Sequence, residues 1–219
     1  MATILCIETA TTNCSVAISV NGSVISLQED NNNQYSHAER LHSYIDAALN
    51  KGGLKRAQLE AIAVSKGPGS YTGLRIGVSA AKGLCFALDI PLISTSTLES
   101  LAHQIKNDDG VIIPMLDARR MEVYSAVFNN QKKQIRETKA EVLYEESFST
   151  FLNEGKVYFI GDGVEKFKAI CNHKNAVFIE NKLPSANEMG FLANKKHKIS
   201  DTEDVAYFEP YYLKDFITN

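Results

Sequence analysis

Hydrophobic and polar positions along the first thirty residues follow the pattern of a β-meander. Ile4-Leu5-Cys6-Ile7 is an unbroken apolar run, as in a strand covered on both faces. Cys14, Val16, Ile18 and Val20 alternate with Ser15, Ala17 and Ser19, the period of two of a second strand. Asn21-Gly22 tolerates positive φ at both positions and predicts a two-residue hairpin into a third strand over 23–28. The period then changes. Leu41, Ile45, Ala48 and Leu49 recur at helical spacing, Ser36 and Glu39 stand as a capping box, and Gly52-Gly53 ends the segment. A short strand is expected at Ala61 to Val64, a helix from about Gly73 to Leu88, and another strand after Pro91. Ser96 with Glu99 then caps a helix bearing Leu98, Leu101 and Ile105.

Asn107-Asp108-Asp109-Gly110 is the clearest turn cluster and the expected lobe boundary. After it the order repeats: a strand at Val111 to Ile113, a turn at Asp117 to Arg120, and a strand from Met121 to Phe128. A polar strand follows around Gln134 to Lys139. A helix near Phe148 to Leu152, a strand at Val157 to Ile160 and the turn Gly161-Asp162-Gly163 come next. Ser185 with Glu188 forms a third capping box, opening a helix through Leu192. Strands joined by tight turns, followed by helices and further strands, thus occur twice. This resembles the duplicated lobes of the actin-like ATPase superfamily. The predicted lobes are residues 1–106 and 107–204, with the aromatic tail 205–219 packing back on the first.

The segment from Gly73 to Leu88 carries the main physical clue. Gly77, Ser79, Ala80, Ala81, Gly83 and Ala87 are small, and most of the rest are apolar. Arg75 and Lys82 are the only charges before Asp89, too few for the polar face of a surface helix. Two interior glycines cost about 1 kcal/mol each relative to alanine. Close approach of a second helix would offset that cost, so docking against a partner is expected. The bland alternative is burial wholly within the chain's own lobe.

Other features bear on chemistry. Glu8-Thr9-Ala10-Thr11-Thr12 ends the first strand; a carboxylate followed by hydroxyls could hold a phosphate, or could merely satisfy its own turn. Gly67-Pro68-Gly69-Ser70-Tyr71-Thr72-Gly73 has the flavour of a phosphate cradle but lacks the Gly-Lys-Ser/Thr ending and the GxGxxG spacing. Thr72 as an ordinary N-cap explains it equally well. His37 and His42 are five apart and cannot form the i, i+4 pair of a helical zinc site. Cys6, Cys14, Cys85 and Cys171 lie in apolar runs without CxxC spacing, the usage of a reduced, cytoplasmic protein. One arginine of Asp117-Ala118-Arg119-Arg120 is expected to pair with Asp117. No run approaches a membrane span, and the N-terminus does not read as a signal peptide. The net charge of -3 argues against unaided grip on a nucleic-acid backbone, and Lys195-Lys196-His197-Lys198 reads as a solvated helix end.

Ile4 to Ala10 with Cys14 to Ala17, and above all Gly67 to Gly77, resemble the TsaB (YeaZ) family. The likeness continues through Pro91-Leu92, Ser94 to Leu98, Asp117 to Tyr124, Gly161 to Gly163 and Pro210 to Leu213. It implies a duplicated actin-like ATPase (ASKHA) fold: two lobes, each a mixed β-sheet with helices, the second lobe reduced. It also implies a non-catalytic scaffold in the threonylcarbamoylation of adenosine next to the tRNA anticodon. Such a chain pairs with the catalytic subunit TsaD, engages the ATPase TsaE, meets tRNA only through the complex, and forms a homodimer when alone. The helices near 36–50 and 73–88 would form the partner interface, with His42, Ile45, Leu74, Gly77, Val78, Ala81, Gly83 and Cys85 as its residues. Glu8, Thr9, Thr11 and Thr12 would be a vestigial phosphate loop. The relative's His-x-x-x-His metal pair falls here on Thr97 and Leu101, so no metal is expected. No cofactor is expected within the chain, and ATP at the subunit interface stays open. The rival readings are a free-standing ATP-dependent enzyme of the same superfamily and an M22-type peptidase.

Overall fold

The computed structural model describes residues 2–30, 37–106 and 109–214. The Ser36 cap and the Asn107-Asp108 half of the boundary turn lie outside the described residues. The chain divides into two compact units, Met1–Ser100 with Pro184–Tyr212, and Leu101–Leu183 with Leu213–Asn219.

In the first unit β1 (Thr3–Glu8) pairs antiparallel with β2 (Cys14–Val20), in register from Thr3↔Val20 to Glu8↔Ser15. Asn21 (φ 51°) and Gly22 (φ 87°) turn the chain into β3 (Ser23–Asp30). Two crossovers then add parallel strands. Helix α1 (His37–Lys51) leads to β4 (Ala61–Ser65) beside β1, and α2 (Tyr71–Leu88) leads to β5 (Leu92–Thr95) beside β4. The sheet order is β3-β2-β1-β4-β5.

Alternation along the strands assigns the two faces of the sheet. Leu5, Ile7, Ile62 and Val64 pack with Leu41 and Ile45 of α1 and Val78, Ala81 and Cys85 of α2. Ile4, Cys6, Ala61, Ala63 and Ile93 pack with Ala186, Met189 and Ala193 of α6 (Ala186–Lys198). Helices therefore cover both faces, which is why β1 reads as continuously apolar.

Three boundaries differ from the sequence reading; one is the tail 205–219, expected on the first lobe, which from Leu213 onward belongs to the second unit. The Ser185-capped helix was assigned to residues 107–204, yet α6 belongs to the first unit. Its buried residues recur at helical spacing and meet the first sheet, and a Cβ at Gly190 would lie 3.0 Å from Ser19 and Val24. The crossing into the second unit falls after Ser100, inside α3 (Thr97–Ala102), rather than at residue 107. A small correction concerns α2: Ser70, not Thr72, is its N-cap, its Oγ accepting from Gly73 N at 3.3 Å.

The second unit repeats the order. Antiparallel β6 (Val111–Asp117), β7 (Glu122–Asn129) and β8 (Gln134–Val142) are joined by parallel β9 (Val157–Ile160) and β10 (Ala176–Ile179). The sheet runs β10-β9-β6-β7-β8, the first sheet's order with β6 in the place of β1. Strand β6 continues through Pro114, which has no N–H for a ladder; pairing with β7 is interrupted between Ile112↔Phe128 and Met115↔Ser125. Helices α4 (Ser149–Glu154) and α5 (Val164–Lys168) cover this sheet through Phe148, Phe159 and Phe167, whose ring centroids lie 4.9–5.7 Å apart. Among the described residues no helix is long and apolar enough to cross a membrane.

Candidate functional site

The Glu8–Thr12 turn and the Gly67–Gly73 loop meet, and they close on each other. Thr9 Oγ1 donates to Gly73 O at 2.8 Å, and Ser70 N donates to Ala10 O at 2.7 Å. A Cβ at Gly69 would lie 2.5 Å from Ala10 O, and one at Gly77 would overlap Thr9 Oγ1. The glycines therefore admit this turn of the chain itself. Thr11 is also engaged: its Oγ1 accepts from Asn13 N at 3.4 Å, and its carbonyl meets His37 Nε2 at 2.7 Å. Thr12 is the half-exposed residue of the turn.

Glu8 is fully buried, with Oε1 accepting from Ala10 N at 2.7 Å. Burial pushes its carboxyl up to about 7, opposed by hydrogen bonds from Ala10, Ser65 and Thr9. Ser65 Oγ and Thr97 Oγ1 share a hydrogen bond of 2.6 Å, and Leu101 is buried. Thr97 and Leu101, the positions at which the family resemblance sets a histidine pair, are thus packing positions here. Among the described residues no group of three or more His, Cys, Asp or Glu is placed to hold a metal.

The docking residues expected from sequence separate into two sets. Ile45, Leu74, Gly77, Val78, Ala81 and Cys85 are buried within their own unit. They are core, and their assignment to a partner surface is corrected: they face the sheet and the Thr9 turn. His42 and Gly83 are exposed. They lie on a different surface, a shallow groove between α1 and α2. Helix α1 contributes Ala38 and His42; α2 contributes Ile76, Ala80, Gly83 and Leu84, with Arg75 and Ser79 beside them. A Cβ at Gly83 would meet nothing within 4 Å, so no packing within the chain requires that glycine. Phe86, one turn further on, is 87% exposed. The sequence reading does not single out the half-buried Ile76, Ala80 and Leu84, which line the groove from the edge of the core, or the exposed Phe86. Their signal was phase: Ile76 and Ala80 lie across the helix from Leu74, Val78, Ala81 and Cys85, and Leu84 and Phe86 stand on its two flanks.

The C-terminal segment runs beside α2. Lys82 Nζ donates to the carbonyls of Ala206 (3.1 Å) and Phe208 (3.0 Å), and Tyr211 N donates to Lys66 O at 2.7 Å. Glu203 bridges to Leu92 on the edge strand β5.

In the second unit the β6–β7 turn holds Arg119 (φ 70°) and Arg120 (φ 50°). Asp117 accepts from Arg119 N at 2.5 Å and pairs with Lys166 Nζ at 2.7 Å, so Lys166 and not an arginine guanidinium is its ion-pair partner. At the end of α6, Lys196 pairs with Asp201 at 3.1 Å. All four cysteines are buried and unpaired.

The family model described as "TsaD: tRNA N6-adenosine threonylcarbamoyltransferase" matches residues 31–218. The tRNA threonylcarbamoyladenosine biosynthesis protein TsaB of Haemophilus influenzae is 31% identical, over 99% of this chain and 95% of the relative. The protein of the same name from Escherichia coli is 30% identical, over 97% of this chain and 94% of the relative. Among solved structures, YeaZ from Pseudomonas aeruginosa superposes with a TM-score of 0.83 at 26% identity, covering 97% of this chain and all of that one. With its repeated sheet order and near-complete overlap with these relatives, the chain belongs to the TsaB (YeaZ) family.

Proposed function

We propose that this chain is the non-catalytic scaffold in tRNA threonylcarbamoyladenosine biosynthesis, docking a TsaD-type catalytic subunit through the α1–α2 groove. Its role in that pathway rests on relatives at 30–31% identity that carry the pathway in their names. The docking role rests chiefly on one observation: the solvent face of α2 presents Ile76, Ala80, Gly83, Leu84 and Phe86 without an acidic residue among them. A face of small and apolar residues lets a second helix approach to about 8–10 Å between axes. The non-catalytic role is supported by Thr97 and Leu101, buried at the positions where the family resemblance would set metal-binding histidines, and by Thr9, whose hydroxyl is bonded to Gly73. In this reading the chain itself holds no cofactor, any ATP belongs to the subunit interface, and a TsaE-type ATPase joins the docked pair. tRNA reaches the chain through the complex, and the chain alone self-associates through the same groove.

The test is Leu84→Asp and Ala80→Asp, which place a carboxylate on the wall of the groove, where both side chains are half-buried and also pack against the edge of the core. Both variants should stay folded by circular dichroism, with a lower melting temperature because part of each side chain packs on the core. Calorimetric titration with the TsaD-type subunit should show affinity reduced by about 100-fold or more, because a charge is desolvated without a partner. Undiminished affinity in both variants would remove the groove from the reading.

A further inference from the structure

Arg75 is exposed, but its side chain is held. Its guanidinium carbon sits 4.1 Å above the Tyr71 ring centroid, and its Nε donates to the Tyr212 hydroxyl at 3.2 Å. The Tyr71 and Tyr212 rings lie 5.0 Å apart at 41°, so two aromatic side chains brace one surface arginine. Tyr71 opens α2, whereas Tyr212 comes from the C-terminal segment. That segment is fastened independently by Lys82 and by the Lys66 carbonyl. The clamp therefore stands on a fixed base.

Among the described residues no carboxylate lies within ion-pair distance of Arg75; Glu209 acts on it only through space. Arg75 nonetheless lines the groove, together with apolar and small residues and His42, and none of the lining residues is acidic. A guanidinium immobilised in advance loses less freedom when it binds, and its planar fork suits a carboxylate. Self-association through these same residues, the contact formed when the partner is absent, brings two arginines together and supplies no counter-charge, so it is the weaker use of the groove. Charge complementarity thus favours a different chain that contributes an acid.

We infer that Arg75 is the charge anchor of the groove, taking a carboxylate from an otherwise small and apolar helix of the partner subunit. Tyr212 acts as a positioning residue, through which the C-terminal segment sets affinity at a surface formed by α1 and α2. This inference rests on the groove being the docking surface, and it adds the chemistry of the partner.

The experiment is calorimetric titration of the intact chain with the TsaD-type subunit, at low and at high salt, with thermal melts of every variant. Arg75→Met should weaken binding about 10- to 100-fold at low salt and flatten the salt dependence, since one charge pair is lost. Arg75→Lys should recover only part of the affinity, because it loses the fork and the stacking. Tyr212→Phe keeps the ring and deletes the hydroxyl; it should weaken binding several-fold in the parent and have no further effect in Arg75→Met. If Leu84→Asp abolishes binding while Arg75→Met binds normally, the anchor is wrong and the groove stands. If neither changes binding, the groove itself is not the docking surface. Equal weakening by Arg75→Met at both salt concentrations would overturn the charge pairing in favour of a packing role.

Discussion

The two sides of α2 each carry a glycine among apolar residues, and the two glycines have opposite explanations. On the sheet side, Gly77 exists because Thr9 occupies the space where its side chain would be. On the solvent side, Gly83 has open space around it, and no neighbour within the chain accounts for it. Small residues in a helix therefore signal a close approach without saying who approaches. Only the fold divides them into those that admit the chain's own turn and those left for another molecule.

The sharpest way to break this division is to fill the sheet side. Gly77→Leu should cost at least about 3 kcal/mol of stability or prevent folding altogether, because Thr9 cannot withdraw from the helix without releasing Gly73. Denaturant unfolding reads it directly. Near-parental stability with lost partner binding would return Gly77 to the docking surface.

Beside that same turn lies Glu8, and its burial gives the sheet side a signature in pH. Its folded carboxyl titrates at about 7, above its ordinary value of 4.5, so the folded state holds the proton more tightly than the unfolded one. The stability it contributes is fully present below about pH 4.5 and is lost as pH rises through 7. Glu8→Gln should thus be similar in stability to the parent near pH 5 and more stable at pH 8, by on the order of 2 kcal/mol. Parallel denaturation curves at the two pH values check this; a difference independent of pH would refute it.

A smaller effect is expected from Thr9→Val, which keeps the branched shape and removes the hydroxyl that donates to Gly73 O. The loss should be about 1 kcal/mol, with partner affinity unchanged. A fall in affinity without a fall in stability would place the turn at the interface.

Much of this architecture was legible because period and punctuation agreed. The alternation of β2, the Asn21-Gly22 turn and the face Leu41–Ile45–Ala48–Leu49 each specify one local structure. The partners of those faces were less legible. Gly77 meets Thr9, and Gly190 meets Ser19, contacts between positions far apart in the chain that no window of local sequence contains. For the same reason α6 was assigned by contiguity to the wrong unit. Strand β10 passed unread, since four half-buried residues without alternation or flanking glycine carry no period. The groove residues were within reach. Ile76, Ala80 and Gly83 are out of phase with Leu74, Val78 and Ala81, so resolving the helix into two apolar faces would have exposed them.

The subtlest discriminator is a single methyl group. Gly83→Ala places a Cβ in open space on an exposed helical position, where alanine is the better helix former. It should stabilise the isolated chain by up to about 1 kcal/mol, since nothing must move to accept it. The same methyl would stand in the path of a partner helix, and affinity should fall a few-fold. Gly77→Ala has no such divided outcome, because the methyl meets Thr9 before any partner arrives, so only stability should drop. Opposite signs for stability and affinity at Gly83, and a stability loss alone at Gly77, would separate the two faces of α2 with the smallest available change. If Gly83→Ala raised both quantities, the helix would dock elsewhere, with Phe86 rather than Gly83 at its centre.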